Sequence, residues 1–190
     1  VVCYTENHGK VRLVAKGGRR GGSRLGAALE PFAVSGVVFY RKPGRELSIV
    51  SQADLERDFA GLRRDAVRMA FGSAVLELVD RVVSEEEPDP ALFATAVGAL
   101  AEVETAEPGA LDGVLLRFGF ALARALGYEV SVSSCVLCGG AAGAHETPGA
   151  LFAPAHGGLV CAACLSTPPE VESAGRAVTA ALVAAAAGRE

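Results

Sequence analysis

The sequence has no apolar stretch long enough to cross a bilayer, because no run of about 18 uncharged apolar residues occurs. The segment from Ala177 onward is too short, and its side chains are too small, for a membrane span. A basic and apolar leader with a cleavage site is also missing, and Val1 stands first instead of Met. We therefore expect neither a membrane protein nor a secreted one, and we expect an unseen segment before Val1.

Cysteine is scarce as well, with five residues in the chain and no secretory feature around them. This usage argues for a reducing compartment, where neighbouring cysteines more often hold a metal ion than one another. We expect a cytoplasmic protein.

Acidic residues are nearly absent from the first 45 positions, where nine Lys or Arg stand against Glu6 and Glu30 and leave a net charge of +7. Residues 46–190 carry −11, from nine basic and twenty acidic residues, so the total of −4 hides a basic N-terminal part. Fifteen of the 18 cations are Arg, which binds phosphate bidentately, whereas Lys acts as a point charge. The pattern predicts a surface that faces a polyanion.

The basic segment, residues 10–24, has the sequence KVRLVAKGGRRGGSR, with six cations and no carboxylate. Val11, Leu13 and Ala15 alternate with mostly charged residues, which predicts a strand with its charge turned outward. Four glycines then allow the loop that follows to approach a ligand closely. We interpret the segment as a contact for nucleic-acid phosphates; the alternative is a solvated hairpin. The predicted contacts are first Lys16, Arg19 and Arg20, and then Lys10, Arg12, Arg24, Arg41, Lys42 and Arg45.

Four short strands are predicted near the N-terminus, over residues 1–4, 11–15, 34–40 and 47–50. The first two form a hairpin, and an apolar connection over 25–32 precedes the third. Short strands joined by basic turns favour a small barrel or sandwich, and they permit an oligonucleotide-binding (OB) barrel over residues 1–53. Because such a barrel needs five strands, we expect its first strand to be absent or truncated.

Helical spacing of apolar residues begins at Asp54, which is a plausible N-cap. The predicted helices cover residues 54–83, 92–103 and 111–126. The acidic turn, residues 85–90 with the sequence EEEPDP, separates the first two, and we interpret it as a solvated connection. Gly127 ends the third helix as a left-handed residue. These patterns predict a helical domain over 54–130 and an Ala-rich C-terminal helix over 168–190.

Two CxxC pairs, separated by twenty-two residues, lie in a predicted segment over 131–167. Each pair can aim two thiolates at one ion from a tight turn, and two such turns complete the tetrahedral sulfur shell that zinc prefers. A closed four-ligand site has no open position for a substrate, so we predict a structural Zn²⁺. We expect surface positions for His145 and His156, and a buried position in the first visible strand for Cys3. The predicted metal ligands are Cys135, Cys138, Cys161 and Cys164.

Two catalytic interpretations of these cysteines find little support. A thioredoxin-like CxxC needs a βαβ setting, which does not surround either pair. A zinc deaminase needs H-x-E before P-C-x-x-C, but His145 and Glu146 are adjacent and no proline precedes either pair. We therefore predict a protein that is not an enzyme.

Three segments in this order resemble the RecO family of bacterial recombination mediators: KVRLVAKGGRRGGSRLGAALEPF, then LLRFGFALARALGY, then a CxxC pair. The resemblance implies an OB barrel, a helical middle domain and a zinc-binding segment. It also implies a protein of the bacterial cytoplasm and nucleoid that binds single- and double-stranded DNA and anneals complementary strands. With RecR, such a protein helps to load RecA on DNA coated by single-strand-binding protein.

The same resemblance implies a docking site for the acidic, apolar tail of single-strand-binding protein. Arg117 would receive a tail carboxylate, with Leu116, Phe120 and Leu122 as candidate groove residues. The alternative for Arg117 is an arginine that extends from an apolar helix to solvent.

Aromatic residues in the predicted strands have two interpretations. Phe39, Tyr40 or Tyr4 would stack on the bases of single-stranded DNA, or these side chains and Phe32 would belong to the barrel core. The basic turn over 41–45 likewise has an alternative, as an edge-strand turn whose charge prevents aggregation.

Two other functions are compatible with parts of the pattern. A zinc-ribbon adaptor would bind RNA or a partner protein of transcription or translation, without annealing activity. A thiol oxidoreductase would show a low thiol pKa and turnover, and a stoichiometric zinc content would exclude it.

Overall fold

A computed structural model describes residues 1–18, 24–41, 47–140, 151–164 and 172–173. The chain forms two compact units, residues 1–115 and 116–190, which are described separately below. None of the helices in the described ranges is both long and apolar enough to span a membrane.

The first unit begins with a four-stranded mixed sheet in the order β1-β2-β4-β3. The predicted hairpin is confirmed, since β1 pairs antiparallel with β2 and Val2 lies opposite Arg12. β2 then pairs in parallel with β4 for two positions. All of β3 pairs antiparallel with β4, from Ala33 opposite Asp58 to Tyr40 opposite Ile49, with two shifts of register. Within the described ranges β1 and β3 are the edges of this sheet, so the strand-rich region is confirmed without a closed barrel. The strands are β1 (Val2–Thr5), β2 (Gly9–Val14), β3 (Ala33–Tyr40) and β4 (Ser48–Asp58).

Alternation along β2 follows the predicted pattern. Val11 and Leu13 are 4% and 2% exposed, whereas Arg12 between them faces solvent. The region 25–32, predicted as a connection, contains a short helix instead, α1 (Arg24–Ala28). The Ser35 hydroxyl on β3 donates to the Ala28 carbonyl at 2.7 Å and ties this helix to the sheet. The core of the sheet consists of Val11, Leu13, Ala28, Val50 and Ala53.

The prediction that a helix starts at Asp54 is wrong, because β4 continues to Asp58. Residues 53–58 pair with the first half of β3, a long-range partner that local periodicity does not report. Helical structure begins with α2 (Ala60–Arg64) and α3 (Ala66–Val82). The N-cap of α3 is Asp65, whose carboxylate accepts from the backbone N–H groups of Val67 at 2.8 Å and Arg68 at 3.0 Å.

The second and third predicted helices are confirmed as α4 (Pro90–Thr105) and α5 (Leu111–Ala125). Gly127 follows α5 with a φ of 83°, as predicted for a left-handed stop. Arg68 at the start of α3 donates to the carbonyls of Val103 and Ala106, which fixes it to the end of α4. The helical middle region is thus confirmed.

The second unit contains the end of α5 and the cysteine segment, with a small sheet in the order β6-β5-β7. The segment between the CxxC pairs contains a hairpin, in which Phe152 on β5 lies opposite Leu159 on β6. The predicted C-terminal helix lies outside the described residues except at Glu172 and Ser173, which form a strand. The strands are β5 (Leu151–Ala153), β6 (Gly158–Val160) and β7 (Glu172–Ser173), and the core residues are Val132, Cys135, Ala153, Leu159 and Val160.

Candidate nucleic-acid surface and metal centre

The basic segment leaves β2 at Val14, and Lys16 follows with an exposed side chain. No ion-pair partner of Lys16 occurs among the described residues, so its charge faces solvent. Arg24 opens α1, and its side chain lies outside the described part of the chain. Four further predicted contacts lie outside the described residues altogether: Arg19, Arg20, Lys42 and Arg45.

Lys10 is held within the protein. Its Nζ donates to the Asp80 carbonyl at 2.7 Å and lies 3.4 Å from the Asp80 carboxylate. The side chain is 14% exposed. Because Asp80 is in the last turn of α3, Lys10 also compensates the negative end of that helix. This position leaves Lys10 little surface for a phosphate.

Arg12 and Arg41 face solvent, and each also pairs with a carboxylate of the acidic turn. Arg12 Nε lies 2.6 Å from Glu85 Oε1, and Arg41 Nη2 lies 3.0 Å from Glu86 Oε1. The two arginine side chains remain 51% and 46% exposed. They are accessible to a competing anion.

The acidic turn is therefore more than the solvated connection that the sequence predicts. Its backbone joins β2, because the Glu86 N–H donates to the Lys10 carbonyl at 3.2 Å. Gly9 faces Glu87 so closely that a Cβ at position 9 would overlap the Glu87 backbone. Glu86 itself has a φ of 64°, a left-handed conformation that is unfavourable for a residue with a long side chain. The turn is anchored along the basic strand.

A surface depression of about 430 Å³ lies beside this region, lined by His8, Val37, Val38, Phe39 and Arg41. The ring of His8 meets the half-buried ring of Phe39 edge-on, with centroids 5.6 Å apart. An aromatic ring, an imidazole and a guanidinium thus border one open concavity, which can accommodate a planar group next to an anionic one.

The other aromatic candidates differ in accessibility. Tyr40 on β3 is 64% exposed, whereas Phe32 is buried. The Tyr4 hydroxyl donates to the Asp89 carbonyl at 3.3 Å, and its ring packs 6.2 Å from that of Phe93. Of these side chains, Tyr40 has a free face for stacking, and Phe32 belongs to the core as the alternative interpretation expects.

The four predicted metal ligands converge in the second unit. The sulfur atoms of Cys135, Cys138, Cys161 and Cys164 all lie within 4.8 Å of one another. Cys138 Sγ is 3.7 Å from Cys161 Sγ. A tetrahedral ion with metal–sulfur bonds of about 2.3 Å separates its sulfur ligands by about 3.8 Å, so the cluster has the size of a metal site.

Each cysteine pair is held by a short turn. The Gly139 N–H donates to the Cys135 carbonyl at 2.9 Å, and the Cys164 N–H donates to the Cys161 carbonyl at 3.0 Å. Gly139 has a φ of 72°, which permits the chain to reverse directly after the first pair. Two residues between ligands therefore suffice to bring both sulfurs of a pair to one point.

The thiols of the cluster differ in pKa, since the pKa of Cys135 is lowered and that of Cys164 is raised. The Cys161 N–H donates to Cys135 Sγ at 3.3 Å, and this and neighbouring backbone N–H groups lower the pKa of Cys135 to about 6. Hydrogen bonds to the sulfurs of Cys161 and Cys138, together with burial, raise the pKa of Cys164 to about 12. A bound cation would take the place of the protons that these thiols share.

The remaining metal-ligand candidates lie elsewhere. His156 is exposed in a short 3-10 helix, and His145 lies outside the described residues. Cys3 packs against the sheet core in the first unit, where burial raises the pKa of its thiol. Within the described ranges, the four cysteines are the one group of His, Cys, Asp or Glu residues arranged for a metal ion.

The predicted tail-binding residues all lie on α5. Arg117 and Leu116 are half-buried. Phe120 packs against the core of the cysteine segment, and Leu122 is 4% exposed. Arg117 and Leu116 are thus more accessible than Leu122.

Together, the mixed sheet, the helices and the cysteine cluster define an α+β protein with four cysteines arranged so that they could hold a metal ion. Family comparison makes this class specific. Residues 1–59 match the model of the Recombination protein O N-terminal domain, and residues 63–186 match that of the C-terminal domain. The chain belongs to the RecO family.

Several relatives carry the name DNA repair protein RecO. The protein from Nocardioides sp. is 41% identical over 171 residues, which cover 86% of this chain and 66% of the relative. The protein from Rubrobacter xylanophilus is 36% identical over 168 residues, 87% of this chain and 64% of the relative. The protein from Salinibacter ruber is 41% identical over 107 residues, 56% of this chain and 41% of the relative. The chain spans about two thirds or less of the length of these relatives.

Proposed function

We propose that this protein acts in DNA repair as a recombination mediator without catalytic activity. It binds single- and double-stranded DNA, anneals complementary strands and, with RecR, helps to load RecA on DNA coated by single-strand-binding protein. The observation that carries this proposal is the match to both RecO domain families in their order along the chain. The names of the relatives support the assignment to DNA repair.

DNA binding is assigned to the basic segment and the strands next to it. Lys16 is exposed, Arg12 and Arg41 are half-exposed, and the first 45 residues carry a net charge of +7. Such a surface holds phosphates independently of base order, and it lowers the repulsion between two strands that are to be paired. Tyr40 and Phe39 offer aromatic faces to unpaired bases. The proposed phosphate contacts remain Lys16, Arg19, Arg20, Arg24, Lys42 and Arg45. Arg12 and Arg41 are proposed contacts that must first separate from Glu85 and Glu86, and Lys10 is the least accessible of the set.

Zn²⁺ is the proposed occupant of the cysteine cluster. Four sulfur ligands in two CxxC turns match the preference of zinc for soft, tetrahedral sites. All four positions of the tetrahedron are taken by protein, so the ion contributes folding energy to residues 131–164.

The decisive experiment is a strand-annealing assay with complementary oligonucleotides coated by single-strand-binding protein. A mediator accelerates annealing on the coated strands, whereas a simple DNA binder does so only on bare strands. If the chain prefers structured RNA over single-stranded DNA in competition and leaves annealing unchanged, the adaptor function replaces the mediator function.

The tail of single-strand-binding protein is proposed to dock at Arg117, next to Leu116 and Phe120 on α5. Arg117→Ala should weaken binding of an acidic, apolar tail peptide by about tenfold or more, since a charge-assisted pair is lost. Arg124→Ala removes an exposed cation from the same helix and should leave peptide affinity unchanged. Equal affinities of the Arg117 variant and the unsubstituted protein would remove this docking site.

A further inference from the structure

The acidic turn carries negative charge to the same arginines that a nucleic acid would use. Glu85 and Glu86 reach Arg12 on β2 and Arg41, the residue that follows β3. Both carboxylates are partly exposed, at 48% and 65%. Exposed ion pairs of this type are weak, so a phosphate that arrives from solvent can replace the carboxylate.

We propose that Glu85 and Glu86 compete with nucleic-acid phosphates for Arg12 and Arg41, and thereby set the affinity of the sheet for DNA. The inference rests on the proposed function, because it requires that DNA reaches this surface. It adds a role for two residues that are acidic and would otherwise count against a DNA contact. When DNA binds, each arginine exchanges a carboxylate for a phosphate oxygen. The two arginines therefore contribute less to the affinity for DNA than unpaired arginines would.

The backbone of the turn supports this assignment. The Glu86 N–H donates to the Lys10 carbonyl, and Gly9 admits the Glu87 backbone at close range. These contacts hold the backbone of the turn at β2. The two carboxylates therefore stay close to the arginines even when a phosphate has displaced them. Glu86 also has a left-handed φ of 64°, which is unfavourable for a residue with a Cβ unless surrounding contacts hold it. The carboxylates therefore remain nearby as intramolecular competitors at high effective concentration.

The geometry also separates Lys10 from the competition. Lys10 is bound by Asp80 at the end of α3 and is 14% exposed, so it anchors the hairpin to the helix. Arg12, two residues further along the same strand, is exposed and faces Glu85. Exchange with a nucleic acid is thus expected at Arg12 and Arg41, and not at Lys10.

The test measures the affinity of the full chain for a fluorescently labelled oligo(dT) strand at moderate salt. The variant Glu85→Gln with Glu86→Gln keeps the side-chain shape and an acceptor oxygen but removes both charges. It should bind oligo(dT) about two- to thirtyfold more tightly, the range expected from two exposed ion pairs. Far-UV circular dichroism and thermal unfolding establish that the variant is folded, and the single variant Glu85→Gln should give a smaller gain.

A matched control separates local competition from the change in total charge. Glu77→Gln with Glu107→Gln removes two exposed carboxylates of α3 and the segment after α4, including one that pairs with Arg81. This control should change the affinity by less than about twofold, because Glu77 pairs with Arg81 on its own helix and exposed charges are screened at moderate salt. If both double variants bind oligo(dT) more tightly by the same factor, the change in total charge explains the effect and the inference fails.

A double-mutant cycle gives the sharpest outcome. Arg12→Gln should weaken binding more in the Glu85→Gln background than in the unsubstituted protein, where Glu85 already occupies Arg12. Equal losses in the two backgrounds would overturn the competition, although DNA binding itself stands. Absence of salt-dependent binding in every variant would instead overturn the proposed function together with this inference.

Discussion

Gly9 shows how one residue determines the position of the acidic turn. It has a φ of 64°, and its missing Cβ leaves the room in which the Glu87 backbone lies. The sequence indicates a turn at this position through the run ENHG, but it does not indicate the second contact. That contact depends on a segment almost eighty positions away.

Gly9→Ala is expected to destabilise the protein more than Gly17→Ala. Both glycines have positive φ, so each substitution costs about 1 kcal/mol from the backbone alone. A Cβ at Gly17 meets nothing within 4 Å, whereas one at Gly9 displaces the acidic turn, at an additional cost of about 1–3 kcal/mol. Urea unfolding of the two variants measures the difference, and equal losses would show that the contact with Glu87 is unimportant.

At the scale of single elements, the boundary between sheet and helices was the main error of sequence interpretation. Leu55, Phe59 and Leu62 are spaced as on a helix, but Leu55 is 45% exposed on β4 while Phe59 and Leu62 are fully buried after it. The backbone pairing of residues 53–58 with β3 outweighs the weak local preference. The observed N-cap of α3 is therefore Asp65, and the predicted cap Asp54 lies within β4.

Replacing the two aspartates distinguishes the predicted cap from the observed one. Asp65→Ala removes an acceptor from two backbone N–H groups of α3 and should cost about 1 kcal/mol of unfolding free energy. Asp54→Ala removes an exposed side chain of β4 that contacts Gln52, and the change should stay within about 0.5 kcal/mol. Chemical denaturation gives both values; a larger loss for Asp54→Ala than for Asp65→Ala would contradict the cap at Asp65.

The cysteine segment was predictable as an element, because ligand spacing within each CxxC turn is a local property. Only the fold brings the two turns together, with β5 and β6 between them as a hairpin. The hydrogen bond from the Cys161 N–H to Cys135 Sγ could not be read from the spacing.

Zinc content tests this element. Protein purified without chelator should hold about one Zn²⁺ per chain, and Cys135→Ser should lose most of it, because one of four ligands is replaced by a weak one. Cys3→Ser, in the first unit, should keep the full zinc content. Elemental analysis of both variants provides the readout. Equal zinc content in the two variants would mean that the metal is bound elsewhere.

At the scale of the whole molecule, the uneven distribution of charge is the property most relevant to the proposed binding of DNA. A basic N-terminal part of +7 and a remainder of −11 occur in one chain, and some of the opposite charges meet in the first unit. The net charge of +7 in the first 45 residues therefore overestimates how many of their cations are available to phosphate.

The salt dependence of DNA binding counts those cations. Arg19→Ala with Arg20→Ala should make the slope of log affinity against log salt less negative by about 1.4, since each phosphate contact on a single strand contributes about −0.7. Arg64→Ala with Arg81→Ala removes the same charge from α2 and α3 and should leave the slope unchanged. Titrations of oligo(dT) at four or more salt concentrations give the slopes, and identical slopes for the two variants would exclude the basic segment as the binding surface.

The sequence by itself determined the hairpin, two of the helices, the charge asymmetry and the two CxxC pairs whose sulfurs converge in the second unit. Each of these depends on residues a few positions apart, which interact through turns, helical spacing or a shared strand. Only the tertiary structure decided that β4 continues to Asp58, and that Arg12 meets Glu85 across 73 positions of sequence. Pairing between distant segments depends on how the whole chain folds back on itself, and local patterns of polarity do not predict it.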